Sequence, residues 1–323
     1  MNQPSPESPT HLFRVLSNRP RLHGIFVGNQ GIRAGWSVLL FVALYALLSN
    51  IILRPLGHFI SFDTPGPIPL PLGVLQEGSQ LLILLVATWV MSRIEHRPLL
   101  SYGYTGDHKL TRFVGGIGCG LFCLSVLVAI LWRSGWLVFD GQRLTGFPAI
   151  EYALGWGFVF LLVGLYEESL LRGYLQFTLA RGIGFWWAAL LLSIAFALAH
   201  LGNGGESLLG LVEVGIGGLV FCLSLWFTRS LFWAVGFHAG WDWGQSFLYG
   251  TPDSGLLMKN HLLSSHAAGK VLWSGGTVGP EGSALVLPLV ILLGLGMWLW
   301  WGKIRKNGAT LAAHRPSVLG PAA

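Results

Sequence analysis

The chain has 323 residues and a mass of 35.1 kDa, of which 53% are hydrophobic and 11% charged, with a mean hydropathy of +0.61. A soluble domain carries about 25% charged residues, so this composition excludes a soluble globular protein. The net charge of +6 and the pI near 9.5 come from basic residues scattered between apolar runs, which excludes the dense basic stripe of a nucleic-acid binder.

Residues 1–33 form a polar, proline- and arginine-bearing tail. The first apolar run begins near Ala34, with no small-residue cleavage site after it, so it is expected to be an uncleaved first span. Apolar runs of roughly 20 residues match the length a helix needs to cross a hydrocarbon layer. They occur near 34–53, 72–92, 113–131, 153–180, 184–206, 207–228, 231–249 and 284–302. The fold class predicted is all-α, a polytopic membrane protein of about eight transmembrane helices. The second run is the weakest, because Gln76, Glu77 and Gln80 interrupt its first half; the fourth is longer than a bilayer needs. Trp89, Trp132, Trp136, Trp273, Trp300 and Trp301 sit near run ends, as an interfacial aromatic belt would. Cys119, Cys123 and Cys222 all fall in apolar runs without CxxC spacing, so no disulfide is expected.

Alternating the segments between the two sides leaves only Arg54, Arg133, Arg143, Lys259 and Lys270 of the 20 lysines and arginines on the outer side. The positive-inside rule then puts both termini in the cytoplasm, and glycine and tryptophan usage points to a bacterial inner membrane. The chain divides into a cytoplasmic tail (1–33), N-terminal spans (34–149), a chemistry-bearing core (150–250), a Gly- and Ser-rich outer loop (251–283) and a last span with a cytoplasmic tail (284–323).

An ionisable group inside a bilayer costs about 2.5–3.5 kcal/mol on insertion scales, so such residues mark functional sites. They cluster in 150–250. The fourth run carries Glu167, Glu168 and Arg172, the fifth ends in Phe196 and His200, and the seventh carries His238 and Asp242. Arg181-Gly182-Ile183-Gly184 reads as a helical-hairpin turn. Glu167 and His200 lie on either side of it, each about 24 Å away at 1.5 Å per residue, so they can face each other on antiparallel helices. His238 and Asp242, four apart, share a helical face. Glu168 precedes Arg172 by four, the favourable order for a pair, which is either a structural salt bridge or a support for the site. Glu167 points about 100° away from Glu168 and is free to face the fifth and seventh helices.

A carboxylate beside an imidazole in a low-dielectric cavity can hold and deprotonate a water. That is hydrolytic machinery. His238 and Asp242 would donate to an oxyanion or, with Glu167 and His200, form a His and carboxylate site for a divalent metal such as zinc. Ser169, the nearest hydroxyl, points to another face, so no acyl-enzyme is expected.

In this order, EExxxR at 167–172, FxxxH at 196–200 and HxxxD at 238–242 resemble the three signature motifs of the CPBP intramembrane protease family. That family includes CAAX prenyl endopeptidases of the Rce1 type and bacterial Abi proteins linked to bacteriocin immunity. The resemblance covers about 150–250 and implies an intramembrane endopeptidase. In it Glu167 and His200 activate the attacking water. His238 and Asp242 stabilise the oxyanion or take part in binding a metal, and Glu168, Arg172 and Phe196 support the site. The implied partners are the bilayer and a membrane-associated or prenylated peptide or protein, with no nucleic acid. One position departs from the pattern: prenyl-protein proteases often carry Asn where Asp242 stands. An ionised Asp cannot donate to an oxyanion, which favours metal ligation or orientation of His238.

Two other classes fit the buried charges less well. An ion-coupled transporter would use them as a relay, but the paired broken spans of such folds are missing from the sequence. A non-catalytic scaffold or immunity-type protein has little reason to keep them. Glu213 is expected to be a hydrogen-bonded polar residue of the bundle. Glu151 matches no motif, and His261 and His266 are expected in solvent. Gly210, Gly215, Gly217 and Gly218 are expected to allow close helix packing.

Overall fold

A computed structural model describes residues 24–28, 31–59, 66–202 and 207–313. Most of the polar N-terminal tail, with Arg14, Arg19 and Arg21, and the end of the C-terminal tail, with Arg315, lie outside the described residues. The principal helices are α1 (Ala34–Phe59), α2 (Leu70–Ile94), α3 (Lys109–Arg133), α4 (Gly146–Glu168), α5 (Gln176–Ile183), α6 (Phe185–Ala199), α7 (Leu208–Thr228), α8 (Phe232–Trp243) and α9 (Val286–Ala313). Helix α4 continues through a π-helical segment, Ser169–Leu175, into α5, making one 38-residue stretch.

Seven stretches among the described residues are long and apolar enough to cross a membrane. The protein is a polytopic helical membrane protein. The span expected at 231–249 differs from the other seven: it is a 12-residue α-helix, α8, extended by the 5-residue π-helical turn Gly244–Leu248. It still runs from one end of the bundle to the other. The Leu231 amide donates to Gly103 at 2.9 Å, and beyond α8 the Tyr249 carbonyl accepts from Ser265 Oγ at 2.7 Å.

Local sequence sets the helix ends. Pro69 and Pro71 flank the start of α2, where a missing N–H costs nothing. Ser207 Oγ caps α7 by accepting from the Gly210 amide at 3.0 Å. The predicted hairpin turn falls between α5 and α6, where Gly184 takes φ +84°, a region open to glycine.

The closest contact in the bundle is between α3 and α8. A Cβ on Gly116 would lie 2.3 Å from the Trp233 carbonyl oxygen, and one on Gly120 2.2 Å from that of Phe237. Reciprocally, a Cβ on Gly236 would lie 2.2 Å from the Phe113 carbonyl oxygen, and one on Gly240 2.4 Å from that of Ile117. Two small-xxx-small stripes thus interlock backbone to backbone. Of the glycines expected to serve this purpose in α7, Gly215 faces α6, with the Ser193 carbonyl oxygen and Ala197 Cβ each 3.7 Å from where its Cβ would be. Gly218 makes room for Ser193 of α6 and for Arg172 Nη2, at 2.9 and 2.6 Å, while Gly217 has nothing within 4 Å.

The connecting segments sort to two ends as alternating spans require. At one end Arg181 pairs with Glu95 at 3.0 Å and Arg112 Nη1 donates to the Thr228 carbonyl at 2.9 Å. At the other, strand β1 (Leu137–Gln142) pairs antiparallel with β2 (Leu263–Ala267), and Ile68 bridges to Met258. The 251–283 segment is therefore built into the fold. Trp89, Trp132 and Trp300 are exposed, as an interfacial belt requires, while Trp136 stacks on Trp273 at 5.3 Å. All three cysteines are free.

Candidate active site

Helix α4 approaches α8 at Gly164, where a Cβ would lie 3.0 Å from the Val235 carbonyl oxygen and 3.4 Å from His238 Cβ. That approach carries the next turn of α4, with Glu167 and Glu168, up to His238. Nδ1 of His238 lies 3.2 Å from Glu168 Oε1, while Nε2 lies 3.5 Å from both Glu167 Oε2 and Asp242 Oδ2. The ring stacks against Phe221, with centroids 5.7 Å apart.

Glu168 and Arg172 form the expected pair, Nη1 to Oε1 at 3.0 Å, with both side chains fully buried. The guanidinium lies 4.5 Å from the Phe196 ring centroid and 5.4 Å from that of Phe221, a desolvated cation–π position. Glu168 binds Arg172 and His238 through one oxygen, so the pair is both a buried salt bridge and a support for the ring. The π-helical turns that begin at Ser169, with Gly173 at φ −86°, ψ −112°, widen the helix where these groups converge, a feature frequent at functional sites.

His200 ends α6 in a short 3₁₀ turn, with its ring edge-on to Phe196 at 4.7 Å. Its Nδ1 lies 2.9 Å from the Phe196 carbonyl oxygen. A carbonyl only accepts, so Nδ1 carries the proton and Nε2 is the acceptor when the ring is neutral. Ser169 Oγ is engaged by the Leu165 carbonyl and the Tyr104 hydroxyl, so it is not poised as a nucleophile.

Glu167, His200, His238, Asp242 and Phe196 line one cavity of about 470 Å³. Sequence reasoning missed several of its other walls. Gln76, Glu77 and Gln80, which weakened the second span, line the cavity from α2. Asp253 and Glu281 line it from the 251–283 segment, and Glu213, 3% exposed, from α7. Asp253 Oδ2 accepts from Ser246 at 3.0 Å. Burial, and then the charge of Asp242, hold the Asp253 carboxyl well above the usual carboxylate range. Of the two outer-loop histidines, His266 is exposed and pairs with Asp140 at 2.8 Å, but His261 is half-buried and bonded to the Met258 carbonyl.

Among the described residues, no group of three His, Cys, Asp or Glu side chains is arranged to hold a metal ion. The side chains as placed do not fit a metal site.

The segment that contributes Glu167, His200, His238 and Asp242 also matches a known family. Residues 149–244 match the type II CAAX prenyl endopeptidase Rce1-like family model. The match is consistent with the CPBP family and, at family level, with a CAAX-protease-like intramembrane peptidase. No curated protein matches the chain.

Proposed function

We propose that the protein hydrolyses a peptide bond in or next to the membrane by direct attack of a water molecule. The observation that carries this reading is that Glu167, His200, His238 and Asp242 wall a single cavity, from three helical elements of the Rce1-like segment. Glu167 takes one proton of the water as its oxygen adds to the carbonyl carbon, and Nε2 of His200 accepts the other proton in a hydrogen bond that aims the attack. The oxyanion that forms takes a hydrogen bond from His238 Nε2, whose ring Glu168 fixes through Nδ1. Collapse breaks the C–N bond, and the proton held by Glu167 passes to the leaving amine. Asp242, 3.5 Å from Nε2, orients and balances the imidazolium instead of donating to the oxyanion. We place both termini on the cytoplasmic side, a reading supported by the distribution of basic residues.

The test is cleavage of membrane-anchored and prenylated peptides by purified wild type and Glu167→Gln. Cleavage by wild type, lost in the variant, is the expected result. Cleavage that survives in Glu167→Gln removes it as the base, and no cleavage by either form of any substrate in the panel shifts the reading to a binding scaffold.

A further inference from the structure

Helix α2 ends in a Schellman motif. The Arg97 amide donates to the Ser92 carbonyl at 2.9 Å and the His96 amide to that of Arg93 at 3.4 Å, the 6→1 and 5→2 bonds of that cap. His96 takes the left-handed position, at φ +52°. Such a cap usually has glycine there, and the next residue is frequently apolar and packs back on the last turn. Here those places hold His96 and Arg97, and the turn they fold back on holds Ser92 and Arg93. The reversal makes a pocket of about 440 Å³ walled by Trp89, Ser92, Arg93, His96 and Arg97.

Among the described residues, none of the three basic side chains has a hydrogen-bond or ion-pair partner. The Arg93 guanidinium lies 5.5 Å from the Trp89 ring centroid, a contact that places a cation without neutralising it, and Arg97 is half-buried. Basic residues at a helix C-terminus ordinarily bond the last carbonyls. Here the Met91, Ser92 and Arg93 carbonyls are taken by the amides of Glu95, Arg97 and His96, and that of Trp89 by Ser92 Oγ. The one acid of this turn, Glu95, is bonded to Tyr102, Tyr174 and Arg181 and does not line the pocket. The pocket therefore offers two guanidiniums whose donors nothing in the described chain uses.

We propose that this pocket binds the headgroup phosphate of an anionic phospholipid, held by Arg93 and Arg97 with His96 alongside. Guanidinium forks match phosphate oxygens in paired hydrogen bonds. Location selects the lipid over a free phosphate. The pocket lies at the end of a span beside the exposed side chains of Trp89, Ile94 and Leu100, at the level where aromatic residues meet headgroups. A phospholipid standing there sets its phosphate at the guanidiniums and its acyl chains along Trp89 and Ile94, whereas a soluble anion gains nothing from that apolar rim. The site lies outside the 149–244 segment and is independent of the peptidase reading.

The test titrates the full-length protein in neutral detergent with phosphatidylglycerol or with phosphatidylcholine of the same acyl chains, counting bound lipids by native mass spectrometry. The first phosphatidylglycerol is expected to bind about tenfold more tightly than the first phosphatidylcholine. Each arginine near an anionic headgroup contributes about fivefold, so Arg93→Gln with Arg97→Gln is expected to weaken that first site at least tenfold. Melting in lipid-free detergent should not change, because neither side chain holds another part of the chain. Removing the same charge at the opposite end of the bundle, with Arg133→Gln and Arg143→Gln, should leave the site intact. If the double variant fails to fold, Arg97→Gln alone decides, with about a fivefold loss expected. Equal affinity for the two lipids, a first site untouched in the folded variant, or an equal loss in the opposite-end control overturns the proposal. Inorganic phosphate in large excess should not displace the lipid; displacement would make this a soluble-anion site and overturn the lipid assignment.

Discussion

Nδ1 of His238 lies 3.2 Å from Oε1 of Glu168. The same oxygen accepts from Arg172 Nη1 at 3.0 Å, so a single carboxylate holds both the ring that faces the cavity and a guanidinium with no exposed surface. Glu168→Gln removes the negative charge and leaves Arg172 buried without its counter-ion. Breaking such a pair from one side costs about 3–5 kcal/mol. Thermal denaturation in detergent should therefore show a marked loss for Glu168→Gln and a similar one for Arg172→Ala, with activity falling in both. A Glu168→Gln protein that melts like wild type would show that the pair is not structural.

Asp242 stands where prenyl-protein proteases often carry Asn, and its Oδ2 lies 3.5 Å from His238 Nε2. If its task is to orient the ring, Asn can serve through its own carbonyl oxygen, while Ala cannot. Asp242→Asn is expected to retain at least about a tenth of wild-type cleavage and Asp242→Ala to lose about 100-fold, the lower range for a positioned proton-transfer group. Steady-state kinetics on one cleaved peptide decides it, and equal loss in both variants would give the carboxylate charge itself a role.

No three potential metal ligands converge on one point among the described residues. Cleavage by the purified protein is accordingly expected to be unchanged, within about twofold, after prolonged treatment with a chelator and removal of free metal. Loss of activity that returns on adding zinc would show that the ligands rearrange around an ion.

Much of the site is legible in the sequence because ionisable residues inside apolar runs have few physical excuses. Glu167, His200, His238 and Asp242 stand out for that reason, and the structure gathers them around one cavity. The same logic, applied to α2, would have read Gln76 and Gln80 as a cavity face, since positions i and i+4 share one side of a helix, with Glu77 at the edge of the same roughly 100° stripe. Taken as a sign of a weak span, that signal was missed. The four-residue spacing of Gly116 and Gly120 against that of Gly236 and Gly240 was equally visible, yet spacing alone does not say which helix a stripe meets. Asp253 and Glu281 were out of reach, because their place depends on how a loop folds back through the pairing of 137–142 with 263–267 and not on any local periodicity.

The α3–α8 contact yields a sharp packing prediction. A Cβ at Gly120 would fall 2.2 Å from the Phe237 carbonyl oxygen, and a backbone carbonyl cannot swing aside as a side chain does. Gly120→Val or Gly236→Val forces the two helices apart, at a cost at or above the about 1–3 kcal/mol of ordinary overpacking, and also shifts His238 on α8. Both variants should lose thermal stability and cleavage together. Gly217→Ala, at a site with nothing within 4 Å, is the matched control and should leave stability unchanged.

At the end of the bundle away from the paired strands, Glu95 ties the end of α2 to the π-helical segment and α5. It accepts from Tyr102 at 3.0 Å, from Tyr174 at 3.1 Å and from Arg181 at 3.0 Å. Burial pushes its carboxyl up, but the nearby Ser37 hydroxyl, the Arg181 charge and Tyr102 outweigh this and hold it below its usual value of 4.5. A carboxyl lowered in the folded state contributes stability that is fully present above the unfolded value and is lost as pH falls through the folded one. Melting followed by tryptophan fluorescence should therefore show wild-type stability holding down to about pH 4.5 and falling below it. Glu95→Gln should start lower at neutral pH and lose less on acidification, because the proton-linked part of the contact is already gone. Parallel pH profiles for the two proteins would show that the Glu95 contacts do not hold these helices together.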